Sequence, residues 1–142
     1  MSPEIIFPFH ITALVFVAIV LFLADGEAFA WFRGKKPVLD GKKLRLYHRL
    51  MWTGLILMMV TGFGLFWPAR GFLLGSTVFL IKMFFVGLLA INSFFIGNLM
   101  DVALLRSYAS LTTREKMPLF ISGAVSGISW LGAFTAAFFL FD

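Results

Sequence analysis

The sequence contains no cysteine, which excludes thiolate metal sites, disulfides and iron–sulfur ligation. It has only two histidines, His10 and His48. No glycine-rich phosphate loop, Gly-x-Ser-x-Gly, His-Glu-x-x-His or long internal repeat occurs. Charge is scarce too. Asp, Glu, Lys and Arg make up 13% of the chain, roughly half the share of a soluble domain. These absences rule out a soluble enzyme, a nucleic-acid binder and a secreted disulfide scaffold. Whatever chemistry remains must come from a few polar side chains.

What the chain has in abundance is apolar surface. Of its 142 residues, 61% are hydrophobic, and the mean hydropathy is +0.97. Four stretches lack Asp, Glu, Lys and Arg: Ile5–Ala24, Leu50–Trp67, Met83–Met100 and Met117–Phe141. Each has about the 18 to 25 residues that cross a hydrocarbon core roughly 30 Å thick. With their flanks, the predicted spans are about 5–31, 44–67, 76–100 and 118–141, in one domain covering 1–142. Short loops make consecutive helices antiparallel neighbours. The expected fold is therefore all-α, an integral membrane four-helix up-down bundle. The first stretch lacks a basic leader and is long for a signal peptide, so it reads as a retained span.

The net charge of +5 and pI of about 10.0 describe orientation and not a nucleic-acid partner. Arg33, Lys35, Lys36, Lys42, Lys43, Arg45 and Arg49 lie between the first two spans. Arg106, Arg114 and Lys116 lie between the third and fourth, whereas the middle loop has Arg70 alone. The positive-inside rule places both basic loops in the cytoplasm and both termini on the non-cytoplasmic side. Trp31, Trp67, Tyr47 and Tyr108 stand near span ends, as interfacial aromatics do.

Turn signals refine the boundaries. Pro3 and Pro8 mark the start of the first helix, and Gly34, Pro37 and Asp40-Gly41 break the chain after it. The second helix is expected to stop at Trp67-Pro68, because proline disfavours helix just before it. Ser76 or Thr77 is placed to cap the third helix. Thr112 and Glu115 have capping-box spacing, with Pro118 in the first turn of the fourth. Gly123-x-x-x-Gly127 and Gly87/Ala90 suit close helix packing, read as internal packing in preference to a dimer seam.

At 1.5 Å per residue, the polar side chains fall into two layers. His10 and Lys82 lie about 7 to 8 Å to the outer side of their spans' midpoints, with Thr61 and Thr135 in the same half. Asp25, Glu27, His48, Asn98 and Asp101 lie near the inner surface. Between them are only neutral groups: Thr53, Asn92, Ser93, Ser122, Ser126 and Ser129. The histidines are about 20 Å apart in depth, too far to sandwich one haem within a subunit. An ionisable residue inside hydrocarbon is by default a functional hypothesis. For Lys82 snorkelling competes with that reading, and for His10 a structural hydrogen bond does. Asp25 and Glu27 are about 200° apart on a helix, so only one can face His48. Interfacial ion pairing competes there with a proton relay or a labile metal site. The 19 Phe, clustered at Phe84–Phe85, Phe94–Phe95 and Phe138–Phe139, suit lipid-facing and packing roles as well as a porphyrin or quinone pocket.

The arrangement resembles the HemJ-type protoporphyrinogen oxidases, which look related to CopD-like membrane proteins. The resemblance rests on Phe9-His10-Ile11-Thr12, on Met58-Met59-Val60-Thr61-Gly62-Phe63-Gly64, on Ile81-Lys82-Met83 and on Arg114-Glu115-Lys116-Met117-Pro118. It implies a haem- or porphyrin-binding redox protein of a bacterial-type cytoplasmic (inner) membrane, an oxidoreductase acting on porphyrinogen with haem b. His10 would be the axial, metal-bound ligand. Lys82 would be the catalytic partner or a propionate contact. The implied partners are the lipid bilayer and a quinone or respiratory electron-transfer protein, with a second copy of the chain as a further option. A non-catalytic accessory subunit and a small proton or metal-ion transporter are the alternative expectations.

Overall fold

The computed structural model describes residues 2–140, and among these it is all-α with no strand. Four helices form: α1 (Pro3–Phe32), α2 (Gly41–Leu73), α3 (Thr77–Leu105) and α4 (Thr113–Phe139). A short 3₁₀ turn, Tyr108–Ser110, lies before α4. All four helices are long and apolar enough to cross a membrane. Their outer surfaces agree with that reading, since Phe22 is 79% exposed and Leu131 70%. Such surface is stable against lipid and not against water.

The helices overrun the expected spans. α1 has 30 residues, about 45 Å, so its last turns project beyond a hydrocarbon core of about 30 Å. α2 does not stop at Trp67-Pro68 but continues through Pro68 to Leu73. A proline there removes one backbone donor, whereas ending the helix inside lipid would leave several groups unpaired. α4 begins at Thr113, so Pro118 sits in its second turn and not its first. The expected end of the fourth span at 141 lies outside the described residues.

The chain divides into two compact units, 1–68 with 100–112 and 69–99 with 113–142. In the first, α1 and α2 run antiparallel. Ile6 lies against Gly64, His10 against Gly62 and Val17 against Gly54. Each step along α1 thus meets a step back along α2. A Cβ on Gly54 would stand 2.2 Å from Val17 Cγ2, so these backbones approach as only glycine permits. In lipid no hydrophobic effect drives helices together, and close packing of this kind takes its place.

At the other end of this unit Trp31 is almost fully buried. Its indole Nε1 donates to the Arg106 carbonyl at 3.0 Å, and its ring meets Tyr108 edge-on. Leu39 N donates to Ala103 O at 2.9 Å. These two donors satisfy carbonyls that the end of α3 would otherwise leave orphaned. Trp31, near the end of its span, is therefore a buried lock between α1 and the end of α3.

In the second unit α3 and α4 are also antiparallel. Asn92 Nδ2 donates to Ser122 O at 3.1 Å, and Ser122 Oγ returns a bond to Asn92 Oδ1 at 2.9 Å. Gly132 packs against the Phe85 ring, which a Cβ would approach to 2.4 Å. Ser76 Oγ accepts from Phe79 N and caps α3. The packing expected at Gly87, Gly123 and Gly127 is absent, since a Cβ at any of them meets nothing within 4 Å. The glycines that admit a neighbouring helix most closely are Gly54 and Gly132, with Gly62 and Gly64 next, chosen by register and not by Gly-x-x-x-Gly spacing.

Candidate functional site around His10

His10 lies on α1, half-buried, where α1 meets α2. Its Nδ1 stands 2.8 Å from Thr61 Oγ1. Thr61 Oγ1 in turn lies 2.6 Å from the Leu57 carbonyl and 3.3 Å from that of Met58. Gly62 leaves room for the ring, since a Cβ there would come within 3.4 Å of His10 Cε1. One imidazole is thus held against α2 by a hydroxyl and a missing side chain.

Lys82 belongs to the second unit, half-buried on α3, with no ion-pair or hydrogen-bond partner among the described residues. Thr135, expected in the same outer layer, is exposed on α4.

The inner groups are arranged differently from the simplest pairing. The α1–α2 register puts His48 near the level of Leu23, about 20 Å along the axis from His10. Asp25 is exposed, and the carboxylate that turns inward is Glu27, whose side chain is 15% exposed. Glu27 ion-pairs with Lys36, and with Lys43 at 3.8 Å. It thereby ties the basic loop to the last turns of α1. His48 Nε2 accepts the indole N–H of Trp52, one turn along α2, at 3.1 Å. That bond occupies a lone pair that a metal or a carboxylic acid proton would need. Asn98 and Asp101 are exposed on α3.

Within the second unit, α3 and α4 enclose a groove of about 510 Å³, in the size range of ligand pockets. Its walls are apolar, from Leu88, Phe95, Ile121 and Val125, with the Asn92–Ser122 clasp on one side and Asn98 also lining it. Phe84, Phe94, Phe95, Phe138 and Phe139 are exposed, and Phe95 also lines the groove. Phe85 packs against Gly132 and edge-on to Phe84, and Phe138 packs edge-on to Phe134.

Asp40 precedes α2, and its Oδ1 accepts from Lys42 N at 2.8 Å and Lys43 N at 3.4 Å. Those backbone donors, helped by the lysine charges, hold its carboxyl below the usual carboxylate range.

No three or more His, Cys, Asp or Glu side chains cluster to hold a bare metal ion among the described residues. Thr61 was visible in the sequence only as a residue of the same depth. Its bond to His10 depends on the packing of two helices 51 residues apart. Trp52 as the partner of His48 was legible in principle from the i, i+4 spacing.

No protein-family model, curated protein or solved structure matches the chain. The fold and site define a class, a small all-α protein with four helices able to span a membrane.

Proposed function

We propose that the protein is a haem-binding redox protein of a bacterial-type cytoplasmic membrane, an oxidoreductase acting on porphyrinogen. Its four helices cross the membrane, with the basic loops in the cytoplasm and both termini outside. His10 would supply an imidazole to the haem iron, and Lys82, a separate candidate half-buried on α3, would be the catalytic partner or a propionate contact that the family resemblance implies. The single observation that carries the reading is the setting of His10. It is a half-buried imidazole hydrogen-bonded through Nδ1. Ligating histidines characteristically bond through the other ring nitrogen in this way. Bound haem would supply one-electron chemistry, and the chain's own residues would orient it. A lipid-soluble quinone is the fitting electron acceptor, and the α3–α4 groove is large enough for its ring.

An absorption spectrum tests the reading. Detergent-purified protein expressed with ample haem supply should show a Soret band that sharpens with dithionite and is lost in His10→Ala. Wild-type protein without Soret absorbance overturns it.

A further inference from the structure

We infer that the α3–α4 groove holds an anionic phospholipid, with one acyl chain along its walls and the headgroup at Asn98 and Arg114. These residues and the groove all belong to the second unit. The inference rests on the helices crossing a membrane and not on haem. Ile91, Phe95 and Ile121 line the groove and are themselves exposed, so it opens sideways. A sideways opening in a span faces hydrocarbon, and an unfilled gap there forfeits the contacts of every side chain around it. Lipid tails are as apolar as leucine and fill such a gap. The length fits one tail. Leu88, near the middle of the span expected for α3, and Leu99, near its end, both line the groove. They stand about 16 Å apart along the axis, close to the roughly 15 Å of hydrocarbon in one leaflet.

Partway along, Asn92 and Ser122 bond each other. Asn98, by contrast, is exposed where it lines the loop-side end. Antiparallel packing through Asn92 and Ser122 sets Asn98 level with Lys116, in the turn between Arg114 and Pro118. Pro118, Ile121, Ser122 and Val125 form the wall on α4. At about 100° per residue, Arg114 lies about 30° from their mean direction, one turn before Pro118. It is exposed, with no hydrogen bond or ion pair among the described residues. Other charges point elsewhere. Lys116 lies about 170° from that direction, Glu115 about 70°, and Asp101 about 120° from the mean of the α3 wall. The mouth thus carries a donor amide and one guanidinium, whose planar fork matches a phosphate. A neutral quinone suits the walls but leaves that charge unused.

Photolabelling in liposomes tests the inference. The full chain is reconstituted in phosphatidylcholine with a trace of phosphatidylglycerol carrying a diazirine on one acyl chain, or with the matching phosphatidylcholine probe. The phosphatidylglycerol probe should label residues within 88–99 and 118–125, and unlabelled phosphatidylglycerol should displace it. Arg114→Gln should lower the labelling about fivefold, the effect of one interfacial cation, while Lys116→Gln leaves it unchanged. Ile121→Trp, which fills the groove, should abolish it. Arg114 is exposed, so its replacement leaves folding intact and the result readable. Equal labelling by the two probes, displacement by a quinone alone, or full labelling of Arg114→Gln overturns the inference. A chain that carbonate strips from the liposomes overturns the membrane reading and this inference together. An embedded chain that labels as expected but shows no Soret band overturns the haem reading alone.

Discussion

At the scale of single residues, glycine carries much of the structural load. Gly54 is buried against Val17, whose own side chain is fully enclosed and β-branched. Val17 cannot swing aside, because a β-branched side chain in a helix has essentially one rotamer. Gly54→Ala should therefore destabilise the protein by about 1 to 3 kcal/mol, the usual cost of overpacking. Gly123→Ala, inside α4 and in open space, should leave stability unchanged or raise it slightly. Thermal unfolding in detergent compares the two. Equal midpoints would show that α1 and α2 do not approach closely at Gly54. The same reasoning separates the histidines. His10 is bonded through Nδ1 to another helix, whereas His48 is bonded through Nε2 to its own. Depth had already set the two apart, but not which ring nitrogen each engages or on which helix.

At the scale of elements, the start of α2 is a pH-sensitive cap. Asp40 binds its proton more weakly in the folded chain than in the unfolded one, because Lys42 N and Lys43 N donate to the ionised form. Its contribution is complete above the unfolded value, near pH 4, and is lost as pH falls through the lower folded value. Asp40→Ala should lower the unfolding midpoint at pH 7 and have a smaller effect near pH 3. Asp40→Asn keeps an acceptor and should remove the acid dependence while preserving most of the cap. Circular dichroism melts at the two pH values check both, and an equal loss for Asp40→Ala at each would refute the cap's pH dependence. Element boundaries were only partly legible. Ser76 was readable as a cap because capping is local chemistry. The passage of α2 through Pro68 was not, since a proline's local preference is outweighed where lipid forbids unpaired backbone groups.

For the molecule as a whole, the distribution of lysine and arginine predicts orientation. The native chain has no cysteine, so single cysteines report without background. Lys35→Cys and Arg114→Cys should resist a membrane-impermeant maleimide added outside intact spheroplasts, and Gly75→Cys should react. The reverse pattern would invert the topology. All three should label after permeabilisation.

Membrane character, helix count and approximate spans followed from the sequence by itself. They depend on sums over many residues, and a hydrocarbon slab filters for length and polarity without regard to detail. The short list of polar residues followed as well, because depth is a linear function of position along a helix. Only the tertiary structure decided which of them meet. Thr61 faces His10, Glu27 and not Asp25 turns inward, and Trp31 locks onto a carbonyl 75 residues away. Those pairings rest on the rotation and register of packed helices. Register is set where backbones come closest, at Gly54 and Gly132, and a glycine's role there is invisible until its neighbour is known.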